Sequence, residues 1–402
     1  MCLSEQCDRR GKERQMDRSE PIRVLHVLGG VGPGGAESRI MDLYRQMDRE
    51  KIQFDFLVHS SRIRKAGDDP SLREPEFFDE EIRQLGGKIY VLPKFKVYNY
   101  FTYRRAIIRF FREHHEFRVV QGHMTSTAGI YLPIAKKCGV PVTVAHSRNA
   151  GVEKGLKGLA TRFFRRNLAD KADYLFACSA LAGEDVFGRR AMDEKRVRII
   201  HNAIDVRKFE YDPAVREQMR QEYGVEDKLV LGHVGRFNYQ KNHPFLIEVF
   251  AQVCRRREDA VLILVGDGPD RAAMEEKCSA PGLSDKVLFV GNQREPWKFY
   301  QAFDMFLLPS FFEGLPGVLV EAQAAGLLCF VSDTVTREAQ ATENVHYLDI
   351  HSPAESWAQE ILRRADYQRH STCQIMQEAG FDVTLQAEGY RNFYENGDIS
   401  RL

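Results

Sequence analysis

Two glutamates eight positions apart, Glu313 and Glu321, stand in the run Ser310-Phe-Phe-Glu-Gly-Leu-Pro-Gly-Val-Leu-Val-Glu-Ala-Gln-Ala-Ala-Gly326. Residues 303–309 read as a short buried strand, Gly314, Pro316 and Gly317 as a turn, and 318–325 as a helix that Gly326 ends. Glu313 then lies in a strand-to-helix loop and Glu321 near the first turn of the helix. The free N–H groups and positive end of that helix suit a phosphate. Carboxylates beside it suit sugar or ribose hydroxyls, so the run describes a nucleotide-sugar site. The backbone at Gly314, Leu315, Val318, Leu319 and Val320 is the expected source of the remaining donor contacts; Pro316 has no N–H and shapes the turn.

Other residues extend this chemistry. Arg236 and Lys241, in His233-Val-Gly-Arg-Phe-Asn-Tyr-Gln-Lys-Asn242, sit five apart in a loop between a strand and a helix. A guanidinium fork and an ammonium can hold the charge that develops on a departing diphosphate. His123 ends a predicted strand, where doubly wound folds bind ligands. Gly29-Gly-Val-Gly-Pro-Gly-Gly-Ala-Glu37 follows the first strand and contains the dinucleotide fingerprint Gly30-x-Gly32-x-x-Gly35. That fingerprint also needs an acid at the end of the second strand, which here closes as Val58-His59-Ser60 without one. No Asp-x-Asp occurs and the histidines show no ligand spacing, so no metal and no cofactor are expected.

The glutamate pair resembles the E-x7-E motif of the retaining, GT-B-type glycosyltransferases of family 4, and the likeness runs from about Ile22 to Tyr394. Gly-Arg-x4-Lys-Asn at 235–242 matches that family's stretch, which carries its diphosphate-binding role to Arg236 and Lys241. Gly34-Gly35-Ala36-Glu37 resembles its G-G-A-E loop, implying contact with the diphosphate or the acceptor. The resemblance puts His123 near the anomeric carbon on a donor-sugar hydroxyl. Gln121 replaces the first histidine of the family's H-x-H. It puts Glu313 on the sugar, Glu321 on the ribose, Gly266 near the diphosphate and the backbone after Asn292 at the base. Arg148 is a candidate acceptor contact. His201-Asn-Ala-Ile-Asp205 resembles the family's hinge, with Ala203 for the usual glycine, and a last helix at 381–394 is implied to cross back to the first domain.

Alternating strands and helices predict an α/β protein: a GT-B fold of two Rossmann-like, doubly wound parallel-sheet domains facing a cleft. Expected divisions are a disordered extension at 1–20, an acceptor domain at 21–205, a donor domain at 206–380 and a returning segment at 381–402. Residues 1–20 are charged without an apolar centre, unlike a secretory signal, and Met16 is a candidate start. The eight cysteines, with no C-x-x-C, read as reduced thiols.

The net charge of +1 conceals an asymmetry: residues 21–205 hold 32 Lys/Arg against 22 Asp/Glu. Lys154, Lys157, Arg162, Arg165 and Arg166 interleave with Leu156, Leu159, Phe163 and Phe164, a pattern suited to an anionic membrane surface. Nucleic acid fits the charge but not a cleft. The implied activity is retaining transfer from a nucleotide-sugar, UDP-linked, to a hydroxyl of a lipid-linked saccharide during capsule or exopolysaccharide assembly. The departing phosphate oxygen would take the acceptor proton. The expected location is the cytoplasm, with peripheral contact to the inner face of the plasma membrane left open. A UDP-sugar 2-epimerase of the same fold, an NAD-dependent oxidoreductase and a non-catalytic sugar-nucleotide-binding partner remain alternatives.

Overall fold

The computed structural model describes residues 20–63, 69–148, 156–279 and 282–402. The first sheet has seven parallel strands: β1 (Ile22–Val27), β2 (Ile52–Ser60), β3 (Ile89–Pro93), β4 (Phe117–Gly122), β5 (Val142–Ser147), β6 (Tyr174–Ala177) and β7 (Val197–Ile199). They lie in the order β3-β2-β1-β4-β5-β6-β7. The second sheet has six: β8 (Leu229–Val234), β9 (Ala260–Val265), β10 (Val287–Gly291), β11 (Met305–Leu308), β12 (Leu328–Ser332) and β13 (Val345–Leu348), in the order β10-β9-β8-β11-β12-β13. This is the GT-B architecture.

Parallel sheets are covered by helices on both faces, so their strands are apolar on both sides. Ala260-Val-Leu-Ile-Leu-Val265 is buried at every position. In each sheet the strand order reverses once, between β1 and β4 and between β8 and β11. Loops leave such a point in opposite directions, and a crevice opens at the strands' carboxyl ends. The loops that open there begin at Gly29, His123, Gly235 and Pro309, so four of the candidate stretches converge through topology.

Two details differ from the sequence expectation. β13 was not expected: its residues Val-His-Tyr-Leu are short, mixed in polarity and half-buried at a sheet edge. The amphipathic run at 159–170 predicts a helix over that range; the helix runs instead as Leu156–Arg165, because Asn167 turns left-handed at φ 56° before a single tight turn at Leu168–Asp170. Asparagine accepts that conformation more readily than other side chains.

The helix Val383–Asn396 packs into the core of the first sheet. Tyr390, Phe393 and Tyr394 are buried with Val24, Phe54 and Phe176. Asp382 caps it by accepting from the Thr384 and Leu385 amides. Ile204 holds the crossing chain on both sides, its amide on the Phe381 carbonyl at 2.9 Å and its carbonyl on the Val383 amide at 2.8 Å. Cys178, Ala182 and Ile204 join the apolar core of the second sheet, which closes the domain junction.

A Cβ added at Gly232 in β8 would lie 2.2 Å from the buried Phe303 ring. Gly232→Ala should therefore cost about 1–3 kcal/mol of overpacking, read as a lower urea midpoint with an unchanged slope. Wild-type stability would show that Phe303 has room to move.

Candidate active site

The second domain gathers its charge in two loops. After β8, a single tight turn, Tyr239–Lys241, is capped by the Asn238 side chain, and Asn242 at φ 54° turns the chain into the helix His243–Cys254. This turn aims Lys241 Nζ at Glu313 Oε1, 2.6 Å away. Ser310 Oγ donates to the same oxygen at 2.8 Å, and Gln240 Nε2 to Oε2 at 3.0 Å. The Glu313 side chain is 8% exposed and held by three donors. Arg236 is exposed, and among the described residues it has no carboxylate partner. A Cβ at Gly266, at φ +134°, would meet the Gly235 carbonyl at 2.1 Å. The β8 and β9 loops therefore lie backbone on backbone, an approach only glycine allows.

The helix after β11 spans Gly317–Ala324, and Gly326 ends it at φ +69°. Leu315, Leu319 and Val320 are buried in the domain core. The Leu319 and Val320 amides bond the Pro316 carbonyl at 3.0 and 3.4 Å. This narrows the expected phosphate floor: Gly317 and Val318 carry the leading amides, which have no intrahelical acceptor. Gly314 is half-buried beside Glu313, and Asn292 is exposed at the end of β10.

Glu321 is the fifth residue of that helix and 7% exposed. The Tyr300 hydroxyl donates to Oε2 at 2.7 Å. Arg39, from the first domain's helix Gly35–Arg45, donates to Oε1 at 2.8 Å. Burial pushes the Glu321 carboxyl above its usual range, and Arg39 and Tyr300 oppose that push. Sequence reasoning missed both partners. Arg39 follows Glu37 by two positions, but no spacing rule points it across a cleft. Beside this ion pair is a cavity of about 770 Å³ whose lining includes Phe77, Asp205, Arg294 and Trp297.

The first domain contributes a buried histidine cluster. His123 Nε2 is 3.0 Å from His26 Nδ1, and Arg148 Nε donates to His123 Nδ1 at 3.4 Å. Because arginine only donates, His123 carries its proton on Nε2 and gives it to His26. Gln121 Nε2 donates to His146 Nδ1 at 3.0 Å, and Gln121 Oε1 accepts from the Tyr394 hydroxyl at 2.7 Å. The residue in the place of the usual first histidine thus ties the site to the returning helix. Burial, reinforced by Arg148, lowers His26 to about 3 and holds His123 and His146 well below the ordinary range.

Glu37 folds back over the loop, so that a Cβ at Gly34 would lie 2.2 Å from Glu37 Oε2. Gly35 opens the helix with free space around it. Burial raises the Glu37 carboxyl. A second cavity, about 320 Å³, lies between Glu37, His123, Thr125, Arg148 and Arg165.

Residues 33–208 match the family described as Glycosyltransferase Family 4, and residues 215–380 that described as Glycosyl transferases group 1. A Bacillus subtilis (strain 168) protein provisionally named glycosyltransferase EpsF is 35% identical over 94% of this chain and 97% of its own length. The chain belongs to the family 4 glycosyltransferases. The capsular polysaccharide biosynthesis glycosyltransferase CapH of Staphylococcus aureus is 22% identical over 93% of this chain and 98% of its own. The crystal structure of Anabaena HepE in complex with UDP shares the fold at TM-score 0.71 and 17% identity, covering 93% of this chain and 99% of that one.

In this transferase the expected basic face divides. Arg162 and Arg166 are exposed. Arg165 turns inward, donating to Thr125 Oγ1 at 2.8 Å and pairing with Asp185 at 3.2 Å. Arg148, the candidate acceptor contact, is 6% exposed and lines the second cavity. Lys154 lies outside the described residues, as does the side chain of Lys157. Leu159, Phe163, Val97, Tyr98 and Phe101 are exposed on the same domain. Among the described residues no helix is long and apolar enough to cross a membrane.

Two titrations follow from these contacts. The ring signals of His26, His123 and His146 should remain those of neutral imidazole down to pH 5 in nitrogen NMR. Because their folded values lie below the unfolded 6.5, the stability they confer is present above that pH and is lost as pH falls. Glu321 has the opposite sign: its folded value is raised, so its contribution is present at low pH and is lost as pH rises through that value. Arg39→Met removes the counter-charge and should cost up to about 3–5 kcal/mol at pH 8, and less at pH 5. A pH-independent loss in urea unfolding would refute the ion-pair account.

Proposed function

We propose that this transferase moves a sugar, with retention, from a UDP-sugar to a hydroxyl of a lipid-linked saccharide in polysaccharide assembly, without a metal. The observation that carries the reading is the meeting of Arg236, the Lys241–Glu313 pair and the helix Gly317–Ala324 at one switch point. His123 and Glu37 face a separate cavity on the other domain. UDP comes by analogy with HepE, and the polysaccharide context by analogy with CapH. The exposed Leu159, Phe163, Val97, Tyr98 and Phe101, near Arg162 and Arg166, suit peripheral contact with an anionic membrane carrying the acceptor.

Each group has a task in this mechanism. The Gly317 and Val318 amides with Arg236 and Lys241 would take the diphosphate, and stabilise it more as the glycosidic bond breaks. Two cations and a helix end supply the positive charge that a metal would otherwise bring. Glu321 would take the ribose hydroxyls once Arg39 yields or shares an oxygen. Glu313, fixed by Ser310 and Gln240, would hold a sugar hydroxyl while Lys241 turns to the phosphate. His123, held neutral, offers the donor sugar no repelling charge. The leaving phosphate oxygen would take the acceptor proton on the face it departs from, which gives retention. An NAD site is disfavoured by the end of β2, where Val58-His59-Ser60 offers no acid for the adenosine ribose. His59, at the end of β2, is already spent on the Leu28 carbonyl and the Tyr103 hydroxyl.

UDP-sugars should bind and be slowly hydrolysed with EDTA present. Arg236→Ala should lower kcat/KM by about 10²–10³-fold, as loss of one charge-stabilising donor does. Glu321→Ala should weaken UDP binding by about tenfold or more. Binding of NAD without any sugar nucleotide would overturn the transferase assignment of the cleft. Free sugar released as the 2-epimer would point to the epimerase.

A further inference from the structure

We propose that the cavity on the first domain is an anion site, in which Arg148 receives the phosphate or carboxylate of an acidic acceptor. This rests on the transferase reading above, and narrows its acceptor to a charged class.

Arg148 is 6% exposed, and its guanidinium hydrogen bonds go to neutral groups, Asn202 Oδ1 at 2.8 Å and His123 Nδ1 at 3.4 Å. Among the described residues no carboxylate forms an ion pair with it. Glu37 acts on Arg148 only through space, and a buried charge without a counter-charge in contact is expensive to keep, whereas a bound anion would compensate it in a setting that strengthens the contact. The three neighbouring histidines stay neutral and cannot relieve it.

Other groups converge on the same space. Arg165 lines the cavity, and its Nε is buried without a hydrogen-bond partner. Thr125 and Ser126 form the first turn of the thirteen-residue helix Thr125–Lys137, and both line the cavity. The Thr125 and Thr127 amides bond the His123 and Met124 carbonyls at 3.1 and 3.2 Å, so of the leading amides that of Ser126 is the one left for an anion. Glu37 stands among the lining residues as the one carboxylate. The wall is thus two-sided: cationic donors for an anion, and a carboxylate to accept hydroxyls from the sugar bearing it. His123 lines this cavity too, so an anchored acceptor would lie beside the residue assigned to the donor sugar.

The anion could be the diphosphate joining a saccharide to its lipid, or the carboxylate of an acidic sugar. Calorimetric titration of pyrophosphate, glucuronate and neutral methyl glucoside separates these sources. The Arg236→Ala protein is used, so that the donor cleft contributes little anion affinity. One anion should bind at least about tenfold more tightly than methyl glucoside, and Arg148→Met should abolish that preference while Arg148→Lys keeps most of it. Tighter pyrophosphate assigns the phosphate source, and tighter glucuronate the carboxylate. Equal binding of anion and neutral sugar, or a preference unchanged in Arg148→Met, overturns the proposal. If Arg148→Met does not fold, the His123 ring nitrogen shift is followed as pyrophosphate and glucuronate are titrated into the Arg236→Ala protein; neither moving it overturns the proposal equally. UDP binding to the unaltered protein is measured alongside. Its absence would count against the transferase reading, while the anion titration would still decide this one.

Discussion

The ion pair between Arg39 and Glu321 is the contact on which the arrangement of this protein turns. It joins the first helix of one domain to the helix Gly317–Ala324 of the other at 2.8 Å, with both side chains nearly buried. A carboxylate there, without a cation, would be strongly disfavoured in its charged form. The closeness of the domains and the charge of Glu321 are thus bound together. Anything that enters the cleft and hydrogen-bonds Glu321 must share or replace Arg39, which makes the closed geometry and the ligand-accepting geometry competitors for one oxygen.

The same rule, that buried charge must be answered nearby, orders both halves of the site. In the second domain Lys241, Ser310 and Gln240 answer Glu313, and its geometry is fixed before any ligand arrives. In the first domain the answer to Arg148 is incomplete. The histidines around it are forced neutral, and a chain of hydrogen bonds from Tyr394 through Gln121 to His146 locks one of them in place. The returning helix is therefore tied to the buried histidine cluster as well as being a tie between domains. One polar network passes from its Tyr394 through Gln121 to His146.

Much of this was legible in the chain. Strands rich in Val, Ile and Leu, buried on both faces, announce parallel sheets whatever their neighbours do. Glycines at 34, 266 and 326 mark places where a Cβ would clash or a positive φ is needed. The spacing of Glu313 and Glu321 around a Pro-Gly turn locates a helix end. Less legible were β13, whose half-buried edge position needs no marked periodicity, and the break at Asn167, where a single left-handed residue outweighs a continuous amphipathic pattern. Arg165 read as a surface charge because sequence cannot say which side of a helix a long side chain takes.

The sequence by itself determined the two sheets, the switch-point loops and the residue types that could hold a diphosphate and a sugar, since periodicity, turn chemistry and charge spacing are local properties. Only the tertiary structure decided which charges are answered. Arg39 reaches Glu321 across 282 positions of sequence, His26 reaches His123 across 97, and Tyr394 reaches Gln121 across 273. Such contacts depend on how two domains and a returning helix close upon one another. Closure is set by the sum of many weak apolar contacts, and no short stretch of chain encodes that sum.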